Sequence, residues 1–312
     1  MVPKQRKQPT AEDPIEEIFR ELNGLIGLSE IKKLLYEVYA FSLIQKQRKK
    51  EQLCSEPTVL HSIFTGNPGT GKTTVARLMA RLYKEMGVLS KGQLIEVERA
   101  DLVGEFVGHT AQKTREQVKK SLGGLLFIDE AYSLVRGGEK DFGREAIDAL
   151  VKAMEDHKNE FVLVLAGYND EMADFLASNP GLQSRFPLQI DFADYSLKEL
   201  QSIAALMYTE HQYRPSDSGW REIERYLLKA LACSSGGVVN MGNARAVRNL
   251  VEGSLRAQAV RLLDGEASAW SREALQMIEG EDVIAAARRL LAKKERIWQE
   301  KPTPGEIIYM NR

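Results

Sequence analysis

The run Gly66-Asn67-Pro68-Gly69-Thr70-Gly71-Lys72-Thr73 constrains this chain more than any other stretch. Its spacing is G-x-x-x-x-G-K-T, with the apolar pair Ile63-Phe64 before it and the helical pattern Thr74-Val75-Ala76-Arg77-Leu78-Met79-Ala80 after it. A strand, a glycine turn and a helix in that order bring backbone N–H groups and the positive end of a helix dipole to one point, where phosphate can settle. In such a seat Lys72 reaches the β- and γ-phosphates, and the Thr73 hydroxyl takes the Mg2+ that accompanies them. The plainer reading, a glycine-rich turn with a solvated lysine, has both flanking patterns against it.

A second stretch supplies matching acids. Gly124-Leu125-Leu126-Phe127-Ile128-Asp129-Glu130 is an apolar run ending in two carboxylates. Such a run suits a strand buried on both faces of a parallel sheet, and the C-terminal edge of that sheet opens into the crevice where α/β folds bind ligands. Asp129 is then the expected partner of the magnesium shell, and Glu130 the expected general base that orients a water. A further buried strand, 161–166, ends at Gly167-Tyr168-Asn169-Asp170. Asn169 is placed to meet a γ-phosphate or the water, and a turn-forming asparagine explains it nearly as well. With strand patterns also at 63–64, 93–97 and 185–192, five strands alternating with helices predict a parallel three-layer α/β domain.

Beyond Asp194 the strand signals stop. Ser196-Leu197-Lys198-Glu199 is a capping box, and helical patterns follow around 200–208, 220–231, 244–263 and 283–291. The expected division is an N-terminal tail and helix over 1–22, the nucleotide-binding α/β domain over 23–192, an all-helical lid domain over 193–291 and a C-terminal tail over 292–312. Within the first domain, Phe106 and Val107 form an apolar pair bracketed by Gly104 and Gly108 in a polar segment. Burial is the ordinary fate of a phenylalanine, and exposure in a loop is the other reading.

Charge argues against one class of partner. Of 312 residues 28% are charged, yet the net charge is -1, without the basic excess that marks a nucleic-acid protein. Cys54 and Cys233 lie far apart with no metal-ligand spacing, so they read as reduced thiols. The N-terminus lacks the apolar stretch of a signal peptide, and no apolar run approaches the ~20 residues of a membrane span. A cytoplasmic protein without a membrane span is expected.

Together the phosphate loop, the Asp-Glu strand end, the asparagine-bearing strand end, an arginine beyond it and Gly242-Asn243-Ala244-Arg245 resemble an AAA+ ATPase. The resemblance runs from about 23 to 291. The segments 66–74, 98–105, 129–134, 165–168 and 179–186 are similar to the branch that holds stage V sporulation protein K and the red-type rubisco activases, most of all to its sporulation side.

That resemblance implies ATP and Mg2+ as ligands, ATP hydrolysis, a homo-hexameric ring and a protein client. It implies that Arg185 is the arginine finger acting on nucleotide held by the neighbouring subunit, a helix-end salt bridge being the alternative. It implies that Arg245 is the lid arginine sensing the γ-phosphate, with Arg248 as a possible substitute. Ile26 and Gly27 match the segment framing the adenine, Asn169 the polar sensor, and Phe106, Val107 and Gly108 the central-pore loop that grips polypeptide. Phenylalanine in a place where the family often has tyrosine keeps the apolar grip and loses the hydroxyl. Three rival readings follow: a red-type rubisco activase, an ATP-gated scaffold with little turnover, and a clamp-loader-like DNA ATPase, which the near-neutral charge weakens.

Overall fold

The computed structural model describes residues 13–55, 59–106, 108–136, 142–158, 160–235, 242–265 and 270–299. The chain divides between Ala193 and Asp194 into two compact units.

The first unit is built on a five-stranded sheet of β1 (Ser62–Gly66), β2 (Leu94–Val97), β3 (Leu125–Ile128), β4 (Val162–Gly167) and β5 (Leu188–Phe192), in the order β2-β3-β4-β1-β5. Every neighbouring pair is parallel. Parallel neighbours require crossovers, so each strand is followed by helix before the next. The helices are α1 (Pro14–Gly24), α2 (Ser29–Lys50), α3 (Lys72–Glu85), α4 (Arg99–Leu102), α5 (His109–Ser121), α6 (Gly143–Asp156), α7 (Asn169–Ala177) and α8 (Pro180–Gln183), with a 3-10 turn over Ala131–Val135.

Two cores cover the two faces of this sheet, and the pleat sorts residues between them with a period of two. On one face Phe64, Leu125, Phe127, Val162, Val164, Ala166, Ile190 and Phe192 meet Ile18 and Leu22 of α1, Leu35 of α2 and Met79 and Tyr83 of α3. On the other, Ile63, Leu126, Ile128, Leu163 and Leu165 meet Val118 of α5, Leu150 of α6 and Phe175 of α7. The expected three-layer α/β arrangement is therefore present, and α1 belongs to its core rather than to a tail. Asp13 caps α1 through an Oδ1 that accepts from the Ile15 N–H at 3.0 Å.

The second unit comprises α9 (Leu197–Glu210), α10 (Asp217–Ser235), α11 (Asn243–Asp264), α12 (Arg272–Gln276) and α13 (Gly280–Gln299). Ser196 and Glu199 make the reciprocal capping box read from the sequence, with the Ser196 N–H donating to Glu199 Oε2 at 2.8 Å. The unit is helical as expected, with one addition: β6 (Arg214–Pro215) and β7 (Met277–Ile278) pair in parallel over two residues each. The last helix runs to Gln299, past the 291 at which the sequence pattern ends it, and Ala292, Lys293, Lys294, Glu295 and Arg296 are all strong helix formers.

Just before β1, His61 is buried at 5% exposure between the rings of Phe161 and Phe186. Its Nδ1 accepts from the Leu163 N–H at 2.9 Å, which requires that nitrogen to be unprotonated. Burial pushes the imidazole down from its ordinary 6.5 to about 4. Between those values the unfolded chain binds the extra proton, so the contribution of His61 is complete above pH 6.5 and is lost as pH falls toward 4. Denaturant melts of the parent and of His61→Asn, which keeps an acceptor and removes the titration, should differ in pH slope across that window, by up to about 3 kcal/mol in total.

Candidate functional site

Because all five strands are parallel, the turns that follow them leave the sheet at one edge. β1 is central, between β4 and β5, so the loop after Gly66 lies beside the turn that follows β4, and the turn after β3 comes next. The phosphate loop, the Asp129-Glu130 pair and Tyr168-Asn169 therefore share one crevice edge.

The loop is shaped by glycines where side chains cannot go. Gly66, Gly69 and Gly71 have φ of 134°, 76° and 100°. At Gly66 a Cβ would come within 2.3 Å of the Phe192 carbonyl oxygen of β5, so the absent side chain lets the loop spring directly from the sheet. Thr70 is fully buried and donates its hydroxyl to the Asn67 carbonyl at 2.8 Å. Lys72 is 9% exposed, and its ammonium donates to the carbonyls of Gly66 at 2.7 Å and Asn67 at 2.9 Å. The lysine at the start of α3 thus folds back over the loop that precedes it, with Pro68 in the turn. Thr73 is half-buried and Thr74 exposed on the first turn of the same helix.

At the end of β3 the backbone N–H of Asp129 donates to Val97 of β2 at 3.0 Å, and Asp129 Oδ1 accepts from the N–H of Glu130 at 3.0 Å. Glu130 sits in the left-handed region at φ 47°, which turns its exposed carboxylate out of the strand line. Tyr168 donates its hydroxyl to Glu130 Oε1 at 3.5 Å. Asn169 opens α7, and its amide nitrogen donates to Asp191 Oδ1 at 3.1 Å; Thr65 Oγ1 donates to the same oxygen at 3.0 Å. One carboxylate of β5 thereby ties the ends of β1 and β4 together. Sequence reading gave Asp191, Thr65 and Tyr168 no role, since their partners lie 22 to 126 residues away.

Arg185 follows α8. Its guanidinium donates to the Gly181 carbonyl at 2.6 Å and is paired with Glu155 of α6, whose carboxyl that guanidinium holds below the usual carboxylate range. Phe106 stands 64% exposed, edge-on to the His109 ring at 5.5 Å, and Gly108 at φ 82° needs no side chain to be accommodated. Val107 lies outside the described residues, as do 137–140 of Arg136-Gly137-Gly138-Glu139-Lys140, a stretch whose sequence reads as an exposed turn. Ile26 and Gly27 occupy the turn between α1 and α2, where Lys32 donates to the carbonyls of Asn23 at 3.2 Å and Leu25 at 2.6 Å. In the second unit Arg245 lies exposed in the first turn of α11 and Arg248 one turn later. Asn243 of the same turn donates to Asp194 at 2.7 Å and accepts from the Tyr195 N–H at 3.0 Å.

The glycine cradle, the lysine and the sheet-edge acids define a P-loop nucleotide hydrolase. The hydroxyl of Thr73 and the carboxylate of Asp129 are oxygen donors of the kind Mg2+ takes, few in number as is usual when substrate phosphates complete the shell. The chain belongs to the AAA family of ATPases: residues 62–193 match the ATPase family associated with various cellular activities, and residues 196–293 match the AAA lid domain. It is 55% identical over 252 residues to stage V sporulation protein K of Bacillus subtilis, covering 81% of this chain and 78% of that one. It is 41% identical over 278 residues to protein CbbX of Cereibacter sphaeroides, covering 88% and 87%. The solved RuvB Holliday junction branch migration motor of Thermotoga maritima shares the fold at a TM-score of 0.55 and 20% identity, over 86% of this chain and 71% of that one. The chain is accordingly an ATP hydrolase. Among the described residues no helix is long and apolar enough to cross a membrane.

Gly66 gives the sharpest test of the cradle. Gly66→Ala places a methyl group against the Phe192 backbone, and thermal melts should show destabilisation of about 2–3 kcal/mol together with weakened ATP binding.

Proposed function

We propose that this ATPase works as a homo-hexameric ring in the cytoplasm, hydrolyses ATP at the seams between subunits, and uses the cycle to remodel or thread a protein partner in spore maturation. The observation that carries the reading is Phe106: a large apolar side chain left 64% exposed in a segment bracketed by Gly104 and Gly108. With Val107 and Gly108 it serves as the client-gripping loop. The 55% identity to stage V sporulation protein K supports the sporulation role.

In this reading residues 66–74 and Lys72 hold the triphosphate, with Ile26 and Gly27 framing the adenine. Glu130 aligns the attacking water and takes its proton. Asn169, held by Asp191, presents its amide to the γ-phosphate or that water. Arg185 leaves Glu155 to place its charge on the neighbour's γ-phosphate, and Arg245 of the lid reports nucleotide state. Thr73 and Asp129 hold the Mg2+, which when bound neutralises charge on the phosphate oxygens. Identity of 41% to protein CbbX keeps red-type rubisco activation as a second reading, which stimulation of turnover by rubisco and a sugar bisphosphate would favour.

Glu130→Gln should bind ATP like the parent and lose turnover, and steady-state hydrolysis at the parent rate would remove Glu130 from its role. Parent turnover per subunit should rise with protein concentration as rings form. Arg185→Ala should lie about 10³-fold or more below the parent at saturating concentration. A flat concentration dependence, or an undiminished Arg185→Ala, would overturn catalysis across a seam. Retained ATP-bound Glu130→Gln should capture a protein client that Glu130→Gln with Phe106→Ala does not.

A further inference from the structure

The carboxylate of Glu130 is exposed and hangs from a backbone in the left-handed region, so its own chain leaves it several rotamers. One group reaches across from β4 to limit them. The Tyr168 hydroxyl donates to Glu130 Oε1 at 3.5 Å, a long hydrogen bond of the kind catalytic groups make before the reacting atoms are in place. Its own ring is held from behind. Tyr132, 3% exposed, lies against it with ring centroids 5.6 Å apart, and the Arg136 guanidinium sits 4.6 Å from the Tyr132 ring centre. Tyr132 is wedged in turn: a Cβ on Gly167 would meet Tyr132 Cδ1 and the Met172 sulfur, each at 2.7 Å. Arg136, Tyr132 and Tyr168 form a stacked support ending on the general base.

We propose that Tyr168 is a positioning residue for ATP hydrolysis, its hydroxyl fixing one oxygen of Glu130 so that the other faces the attacking water. The inference rests on the reading of Glu130 as base. In this reading Tyr168 acts through Glu130, the group its hydroxyl reaches. It is also the residue immediately before Asn169 and the N-cap of α7, so one backbone step sets both the base and the amide beside it. Burial, and then the charge of Glu130, push the phenol up, which keeps its proton in place as a donor at neutral pH.

Tyr168→Phe removes the hydroxyl and keeps the ring against Tyr132. At ring-forming concentration it should lower kcat about tenfold, the worth of one hydrogen bond to a charged group, with ATP affinity and melting temperature unchanged. Glu130→Asp draws the carboxylate back from the hydroxyl. Adding Tyr168→Phe to Glu130→Asp should therefore cost little more than Glu130→Asp alone, whereas independent effects would multiply. Parent kcat in Tyr168→Phe, a loss that appears in ATP affinity or stability instead, or full multiplication in the double variant would each overturn the proposal. Failure of the underlying reading looks different: Glu130→Gln itself would then turn over at the parent rate.

Discussion

One buried ammonium closes the nucleotide-binding unit on itself. Lys72 begins the helix that follows the loop, yet it bonds back to Gly66, the last residue of the strand that precedes it. Strand, loop and helix are thereby locked as one turn on an interior strand of the sheet, and the neighbouring turns lie beside it. β4 and β5 flank β1, Asp191 clamps Thr65 and Asn169 across all three, and β3 brings its two acids in beside β4. The energetics favour such rigidity, because a phosphate seat made of backbone N–H groups works only if it does not reorganise as charge develops.

The electrostatics around this seat are divided by depth. Lys72 is nearly buried and engaged by carbonyls, whereas Glu130 is exposed and Arg185 pairs with an exposed acid. The cation proposed to hold a triphosphate is pre-placed, while the groups proposed to act on it sit where solvent screening keeps their present partners weak. Arg185 pairs with Glu155 near the end of α6, an arrangement compatible with either reading of that arginine. An exposed ion pair of that sort is inexpensive to exchange for a phosphate.

What the sequence made legible was whatever repeats or is local. Apolar runs of four to six residues at 125–128 and 161–166, the glycine spacing at 66–71 and the capping box at Ser196 were each readable because cause and effect lie within one element. The two-residue strands β6 and β7 carry too few side chains to show any period. Tyr168, Asp191 and Glu155 were silent for another reason. Their roles come from partners 22 to 126 residues off, joined only when the chain has folded. Phe106 lay between the two cases: its glycine bracket was visible, its exposure was not.

The missing side chain of Gly66 has a mechanical corollary. The carbonyl of Phe192 would stand 2.3 Å from a Cβ at Gly66, so the two backbones touch without slack. Phe192 closes β5, which starts three residues after Arg185. A displacement of the glycine therefore meets the backbone of that strand directly, with no side chain between them to yield.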